Sequence, residues 1–403
     1  MHILKKAKPT RVSTDISSDL NPVAILASVV LWLLLLLTVA YAMRLWQAAQ
    51  VGNTVIGGDF AAFYTGGTLY LSGGNPYDRV GFSQALHSLR PTLPPNHELF
   101  FLYPPSLLWL FELLALLPYV WAFAALLLIS IALYGVALWL LWREYLPQIP
   151  FRWYAAPALL YPPFLHTIFN GQLSALACLG LAGFVVGTER KYERIAGLSL
   201  ALCFYKPPML ILPVFALLFT RRWRTLGYLS LGCVAFVLLS LVTGWQLYVA
   251  YLRALLDYGR QTNSGAYLLP FYQYVDFSSQ LAAWGIRARP VVLLAGIVLT
   301  YWLRHRPNYL AAVIGLVPIF SIHTASYDCI ILIIPVTVLL RDRVPGWKWL
   351  IAALIVTPLI AAPVAYFTTL QIQNFVILAL VWFISRRPRA RPPVGSVNLV
   401  TAR

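Results

Sequence analysis

Long apolar runs alternate with short clusters of lysine and arginine along most of this chain, and carboxylates are rare inside the runs. The clusters fall at Lys5 to Arg11, Arg143 with Arg152, Arg190 to Arg194, Arg221 to Arg224, Arg304 to Arg306, Arg341 to Arg343 and Arg386 to Arg391. Basic residues beside membrane spans stay on the cytoplasmic side, so the pattern predicts that all these clusters share one face and that each segment between them leaves and returns. Residues 154–187 form one such excursion, turning at Asn170, Gly171 and Gln172. Residues 309–340 turn between His323 and Asp328, and residues 347–385 turn between Gln371 and Asn374.

The excursion over 195–219 is only 25 residues long. That length cannot cross an apolar core of roughly 30 Å twice as regular helix. Its middle reads Phe204-Tyr205-Lys206-Pro207-Pro208, which predicts two half-helices meeting near the outer face, with the interrupted backbone packed in protein or lining a cavity. Two segments remain outside, 47–118 and 244–289. Within the first, Tyr103-Pro104-Pro105 opens an apolar stretch of about 14 residues, short for a span and suited to an interfacial or re-entrant helix. The first apolar run is too long for a removable leader and reads as a retained span. The sum is a single domain over 1–403 with about 12 transmembrane helices, broken half-helices included, and both termini inside.

Composition agrees with this picture. Hydrophobic residues make up 60% of the 403 positions and charged residues 11%, with a mean hydropathy of +0.74, which a water-exposed surface does not tolerate. The expectation is an all-α polytopic membrane protein. The net charge of +17 could signal nucleic acid, but the basic residues sit between apolar runs where they set orientation, so no nucleic-acid partner is expected. Cys178, Cys203, Cys233 and Cys329 fall in or beside apolar segments without metal-ligand spacing and read as small core residues.

Against that background the polar residues of the outer side stand out: Asp59, Glu98, Asn170, Gln172, Lys206, Asp257, Asp276, His323 and Asp328. Asp59 precedes an apolar helix and reads equally as its cap or as a base. Lys206 is an ionisable residue within an apolar run, expensive unless functional, and a lysine held there suits a phosphate; snorkelling is the plainer alternative. His323 sits at a hairpin tip near Tyr327 and Asp328, and reads as an interior histidine or as a donor to a phosphate. Asn170 and Gln172 either satisfy their own turn or meet sugar hydroxyls. Gly73 to Asp78 reads as a tight turn. The first loop, the break at Lys206 and the tip at His323 are expected to meet in one cavity, because lipid can satisfy none of them. A base at the surface with a cation at the membrane boundary suits transfer from a lipid-phosphate donor to a hydroxyl. A lipid or solute transporter and an envelope-assembly scaffold are the alternatives, although no repeat between the halves supports transport.

Asp59-Phe-Ala-Ala-Phe-Tyr, Leu71-Ser-Gly-Gly-Asn-Pro-Tyr-Asp78, Tyr103-Pro-Pro, Asn170-Gly-Gln172, Lys206-Pro207 and His323 before Tyr327-Asp328 together resemble, in order and spacing, glycosyltransferase family 87. The resemblance spans roughly 60–330. It implies a GT-C fold and an inverting, polyprenyl-phosphate-mannose-dependent mannosyltransferase; no cofactor is expected, and no metal-ligating residues are read from the sequence. Its implied setting is the bacterial inner membrane, with the active site toward the periplasm and a lipid or glycan acceptor. By the same resemblance Asp59 is the general base, and Lys206 and His323 hold the donor phosphate. Tyr103, Asn170 and Gln172 are expected beside the donor; Glu98, Asp257, Asp276, Tyr327 and Asp328 are expected near the acceptor or in support.

The sidedness is open to direct test. Cysteines introduced at Ser72 and Thr262 should react with a membrane-impermeant thiol reagent added to intact cells, and one at Arg222 should not. Outside labelling at 222 would reverse the arrangement.

Overall fold

The computed structural model describes residues 31–40, 56–91, 101–263 and 273–386, together with Val29, Met43 and Gln47. Among these residues the chain is helical, with one isolated bridge between Tyr274 and Ala325. The first described helix is α1 (Leu31–Ala40), whose buried Leu34 packs with Leu165. Next come α2 (Phe60–Leu71), α3 (Arg79–Leu89), α4 (Leu108–Ala115) entered through a short turn at Pro105–Leu107, and the long α5 (Tyr119–Tyr145). Helices α6 (Phe151–Leu159), α7 (Pro162–Asn170), α8 (Ser174–Glu189), α9 (Glu193–Ala201), α10 (Ile211–Phe219) and α11 (Trp223–Val242) follow. The remainder is α12 (Trp245–Asn263), α13 (Phe277–Ala283), α14 (Arg289–Leu303), α15 (Tyr309–Phe320), α16 (Ile333–Asp342), α17 (Trp347–Thr368) and α18 (Ile372–Ser385).

Three described helices, α5, α11 and α17, are long and apolar enough to cross a membrane by themselves. Each leaves large apolar side chains exposed, such as Leu128, Leu238 and Phe367, as a lipid-facing surface requires. The shorter α8 and α15 are apolar all round and almost wholly buried, so they form the interior that the long helices surround. The fold is therefore that of an all-α membrane protein.

The break predicted near Lys206 is present. Proline disfavours helical angles in the residue before it, and Lys206 takes φ −131° and ψ 78° ahead of Pro207. On either side the chain winds as tight single turns, Leu202–Tyr205 and Pro207–Leu210, before α10 begins. The two halves form a hairpin. A methyl group at Gly197 would lie 2.5 Å from the Thr225 carbonyl oxygen, and one at Gly232 would lie 2.4 Å from Cβ of Ala201. Helices α9 and α11 thus run parallel from the same face, so α10 must return to that face before α11 starts.

Other contacts gather further basic clusters of the described residues there. Arg190 pairs with Glu144 at 2.5 Å, Arg341 donates to Asn308 at 2.7 Å, and Asn308 donates to the Ile384 carbonyl at 3.0 Å. At the other end of α11 the Ser106 amide donates to Ser240 Oγ at 3.1 Å, which places the loop after Tyr103 opposite the basic face.

Two segments carry more helix than the hydropathy pattern suggested. Residues 56–91 hold α2 and α3, and α12 is an amphipathic helix of 19 residues that exposes Asp257 while burying Tyr251. Helix α2 is apolar but, at 12 residues, too short to cross, and α12 is too polar, so neither registers as a span. The helix after Tyr103 covers Pro105–Ala115, somewhat shorter than the stretch of about 14 residues expected.

Where α9 and α11 touch backbone to backbone, side-chain volume decides stability. Gly197→Ala should lower the detergent melting transition by the equivalent of about 1–3 kcal/mol of overpacking, despite alanine's better helix propensity. Gly227→Ala, with open space around it, should leave the transition unchanged or raise it slightly.

Candidate functional site

Asp59 owes its position to two interlocked glycine turns. Gly57 and Gly58 adopt φ of 77° and 22°, and Gly171 closes α7 with φ of 66°. Side chains at these positions would be strained and would also collide: Gly57 faces the Phe123 ring, Gly58 faces Asn170, and Gly171 faces Phe60 and Phe123. The turns can therefore close on one another around the Phe60 and Phe123 rings, whose centroids are 5.3 Å apart. Buried Arg90 fixes the incoming strand of chain, donating to the carbonyls of Ile56 and of Gly58 and to the Tyr119 hydroxyl, the last at 2.7 Å. Tyr119 in turn donates to the Ile56 carbonyl at 2.7 Å.

The carboxylate of Asp59 makes no capping bond to α2, so the cap reading is not realised. Instead it accepts from the Gln172 amide nitrogen. The amide oxygen of Gln172 accepts from the Tyr103 hydroxyl at 3.1 Å. Tyr103 stacks on Tyr205 at 5.8 Å, and its carbonyl accepts from the Tyr77 hydroxyl at 2.7 Å. This last bond is what the turn at Asn75 to Asp78 contributes: Asn75 accepts from the Tyr77 amide, Asp78 caps α3, and Tyr77 is aimed at the site. Burial, and then the charges of Asp328 and Asp59, push the Tyr103 hydroxyl well above its ordinary pKa, so it remains a donor to Gln172.

A second polar group lies beside the first. Lys206 Nζ reaches Asp328 Oδ2 at 2.5 Å and sits 5.3 Å from the centre of the Tyr327 ring. The buried Asp328 carboxylate also accepts from Ser174 Oγ and from the Ala325 amide, both at 3.0 Å. His166, one turn before Asn170, pairs with Ser326 Oγ at 2.5 Å and meets the Tyr327 ring at 5.6 Å.

The tip between α15 and α16 carries His323 in left-handed backbone, φ 61°. Its ring lies against Tyr274 at 4.9 Å, with the Tyr258 hydroxyl 3.0 Å from Nε2. Burial first, and then the positive charges of Lys206 and Arg289, lower its pKa to about 3, so the imidazole is neutral. Asp276 ties the tip down. It accepts from the Ser279 amide at 2.9 Å and from the Thr324 amide at 3.3 Å, and from the hydroxyls of Ser278 and Ser279. Burial raises its pKa while these bonds oppose the rise.

Asp59, Gln172 and Tyr103 are thus directly linked, as are Lys206, Tyr327 and Asp328, and His323 is close enough to Lys206 to feel its charge. Asn170 packs on Gly58 and donates to the His166 carbonyl at 3.1 Å. Asp257 is not brought in; it is exposed and pairs with Arg260 at 3.4 Å. Glu98 lies outside the described residues. Sequence reasoning missed Arg90, His166, Ser174 and Tyr205. Only His166 left a signal, a histidine in an apolar helix four residues before Asn170. Among the described residues no three His, Cys, Asp or Glu side chains converge as ion ligands.

Chemically, the arrangement offers a partly exposed carboxylate oriented by an amide, beside a lysine whose ammonium keeps donors beyond the one Asp328 takes. Removing either member of the inner pair strands the other. Asp328→Ala and Lys206→Met should each cost about 3–5 kcal/mol, read as a fall in melting temperature of the purified protein.

The sequence model of glycosyltransferase family 87 matches residues 101–323, a span that contains Tyr103, Asn170, Gln172, Lys206 and His323. No curated protein sequence matches the chain. Because the family match covers more than half of the 403 residues, the chain belongs to glycosyltransferase family 87.

Proposed function

We propose that this glycosyltransferase moves a sugar, mannose, from a polyprenyl-phosphate donor to a hydroxyl of a lipid or glycan acceptor, inverting the anomeric centre. The observation that carries the reading is the Asp59 carboxylate, partly exposed and held through Gln172 beside the Lys206 group. Asp59 takes the acceptor proton as the acceptor oxygen attacks the anomeric carbon, and the bond from that carbon to the phosphate oxygen breaks. The electron pair leaves with the polyprenyl phosphate. Lys206 meets the developing charge with the donors that Asp328 does not occupy, and neutral His323 adds a hydrogen-bond donor.

Tyr103, Asn170 and Gln172, linked to Asp59 or packed on its neighbour Gly58, supply hydroxyl and amide groups for the sugar, while Tyr327, Asp328 and Asp276 support the lysine and the hairpin tip. The basic face is the cytoplasmic one under the positive-inside rule, which puts the site on the periplasmic side of a bacterial inner membrane. The arrangement is then a GT-C one of about 12 crossings, half-helices included, with the segments 47–118 and 244–289 as its periplasmic loops.

The test uses purified protein, labelled polyprenyl-phosphate mannose and a membrane-lipid extract. Asp59→Asn should lower turnover by about a hundredfold to ten-thousandfold, the usual worth of a general base, while melting temperature and donor binding stay near those of the parent protein. An amide keeps the size of the carboxylate and cannot take the proton. Turnover by Asp59→Asn at the parental rate would remove Asp59 from the chemistry.

A further inference from the structure

The basic face holds a second site, far from Asp59. An open cavity of about 560 Å³ lies where α8 and α10 end, α14 ends and α15 begins. Lys191, Arg222, Arg304 and Arg306 border it against a single carboxylate, Glu189. Two buried hydroxyls of its lining, on Thr188 and Tyr309, have no hydrogen-bond partner among the described residues. Such groups are costly to bury unless a ligand or water completes them. The cavity also borders the first turn of α15, whose cap residue Asn308 makes no capping bond because its side chain is committed to Asp342, Arg341 and the Ile384 carbonyl. An uncapped helix start beside several cations is a receptor for a phosphate group.

Arg306 borders a second cavity as well, an apolar groove of about 920 Å³ between α14, α15 and α18. The groove runs inward from Arg306 and Arg386 past Leu299, Leu316 and Leu378. Both arginines lie over tryptophans at its mouth, Arg306 at 4.8 Å from the Trp302 ring and Arg386 at 3.5 Å from the Trp382 ring. A polar anion site and an acyl-sized groove therefore share one arginine at the membrane boundary.

We infer that this pair of cavities binds an anionic phospholipid, with the headgroup phosphate between Arg306, Arg222 and the start of α15 and an acyl chain in the groove. The charge selects the headgroup, and the groove selects a lipid over a free anion. The site is independent of the transfer reaction proposed above, so failure of one leaves the other standing.

The probes are phosphatidylglycerol, phosphatidylcholine and inorganic phosphate, each added to the delipidated full-length protein in detergent and read by native mass spectrometry and melting temperature. Phosphatidylglycerol should be retained in preference to phosphatidylcholine and should raise the melting temperature. Arg306→Gln combined with Arg386→Gln should lower the apparent phosphatidylglycerol affinity about tenfold or more. Arg143→Gln combined with Arg152→Gln removes the same charge from exposed positions of the same face and should leave the preference intact. Ala379→Phe, which fills the groove without touching charge, should also release the lipid and guards against a folding defect in the arginine variant. Equal losses in both arginine pairs would reduce the effect to diffuse surface charge and overturn the proposal. So would inorganic phosphate that reproduces the full stabilisation, since the site would then take a free anion.

Discussion

A backbone that stops being helical inside a membrane protein loses its own hydrogen bonds and must find others within the protein. Four such interruptions meet in this chain: the glycine turn before α2, the turn at Gly171, the break at Lys206 and the tip between α15 and α16. Side chains tie them to one another. Gln172 joins the second to the first through Asp59, Ser321 Oγ donates to the Pro208 carbonyl at 3.0 Å to join the fourth to the third, and Asp328 accepts both from Lys206 and from the Ala325 amide. The polar side chains that tie the interruptions together are the same ones proposed for the chemistry, so stability and the proposed reaction fall on one set of residues.

The pair of Lys206 and Asp328 illustrates the consequence. A lone ammonium in this environment would be poorly solvated, and its affinity for phosphate would be bought with a large burial cost. Pairing it with a carboxylate that also accepts from Ser174 and Ala325 lowers that cost and fixes the ammonium in one place. The net charge of the pair is zero, so under the proposed reaction recognition of a phosphate would rest on directed N–H donors more than on bulk positive potential. His323, neutral and wedged between Tyr258 and Tyr274, fits the same description.

Much of this was legible in the sequence because it follows from local rules. Proline after Lys206 dictates a break, glycine between Asn170 and Gln172 dictates a left-handed helix end, and basic clusters dictate which helix ends share a face. What was not legible depends on proximity between distant segments. Nothing local marks Asp328 as the partner of Lys206, 122 positions away, or Arg90 as the clamp on Ile56. Asp59 looked equally like a helix cap, and only the approach of Gln172 decides where its carboxylate points. Asp257 and Asp276 looked alike in sequence; one is exposed beside Arg260, and the other is buried in a knot of serines. Burial, which period and composition do not report for isolated loop residues, separates them.

The role assigned to Asp59 is the central claim, and chemical rescue tests it most directly. Truncation to glycine removes the carboxylate and leaves a space beside Gln172 that a small carboxylate can enter. Turnover of Asp59→Gly should be lost and then restored in part, with saturation, by added formate, because an external base replaces the missing one. Glycosyl transfer by Asp59→Gly at the parental rate without formate would contradict the claim.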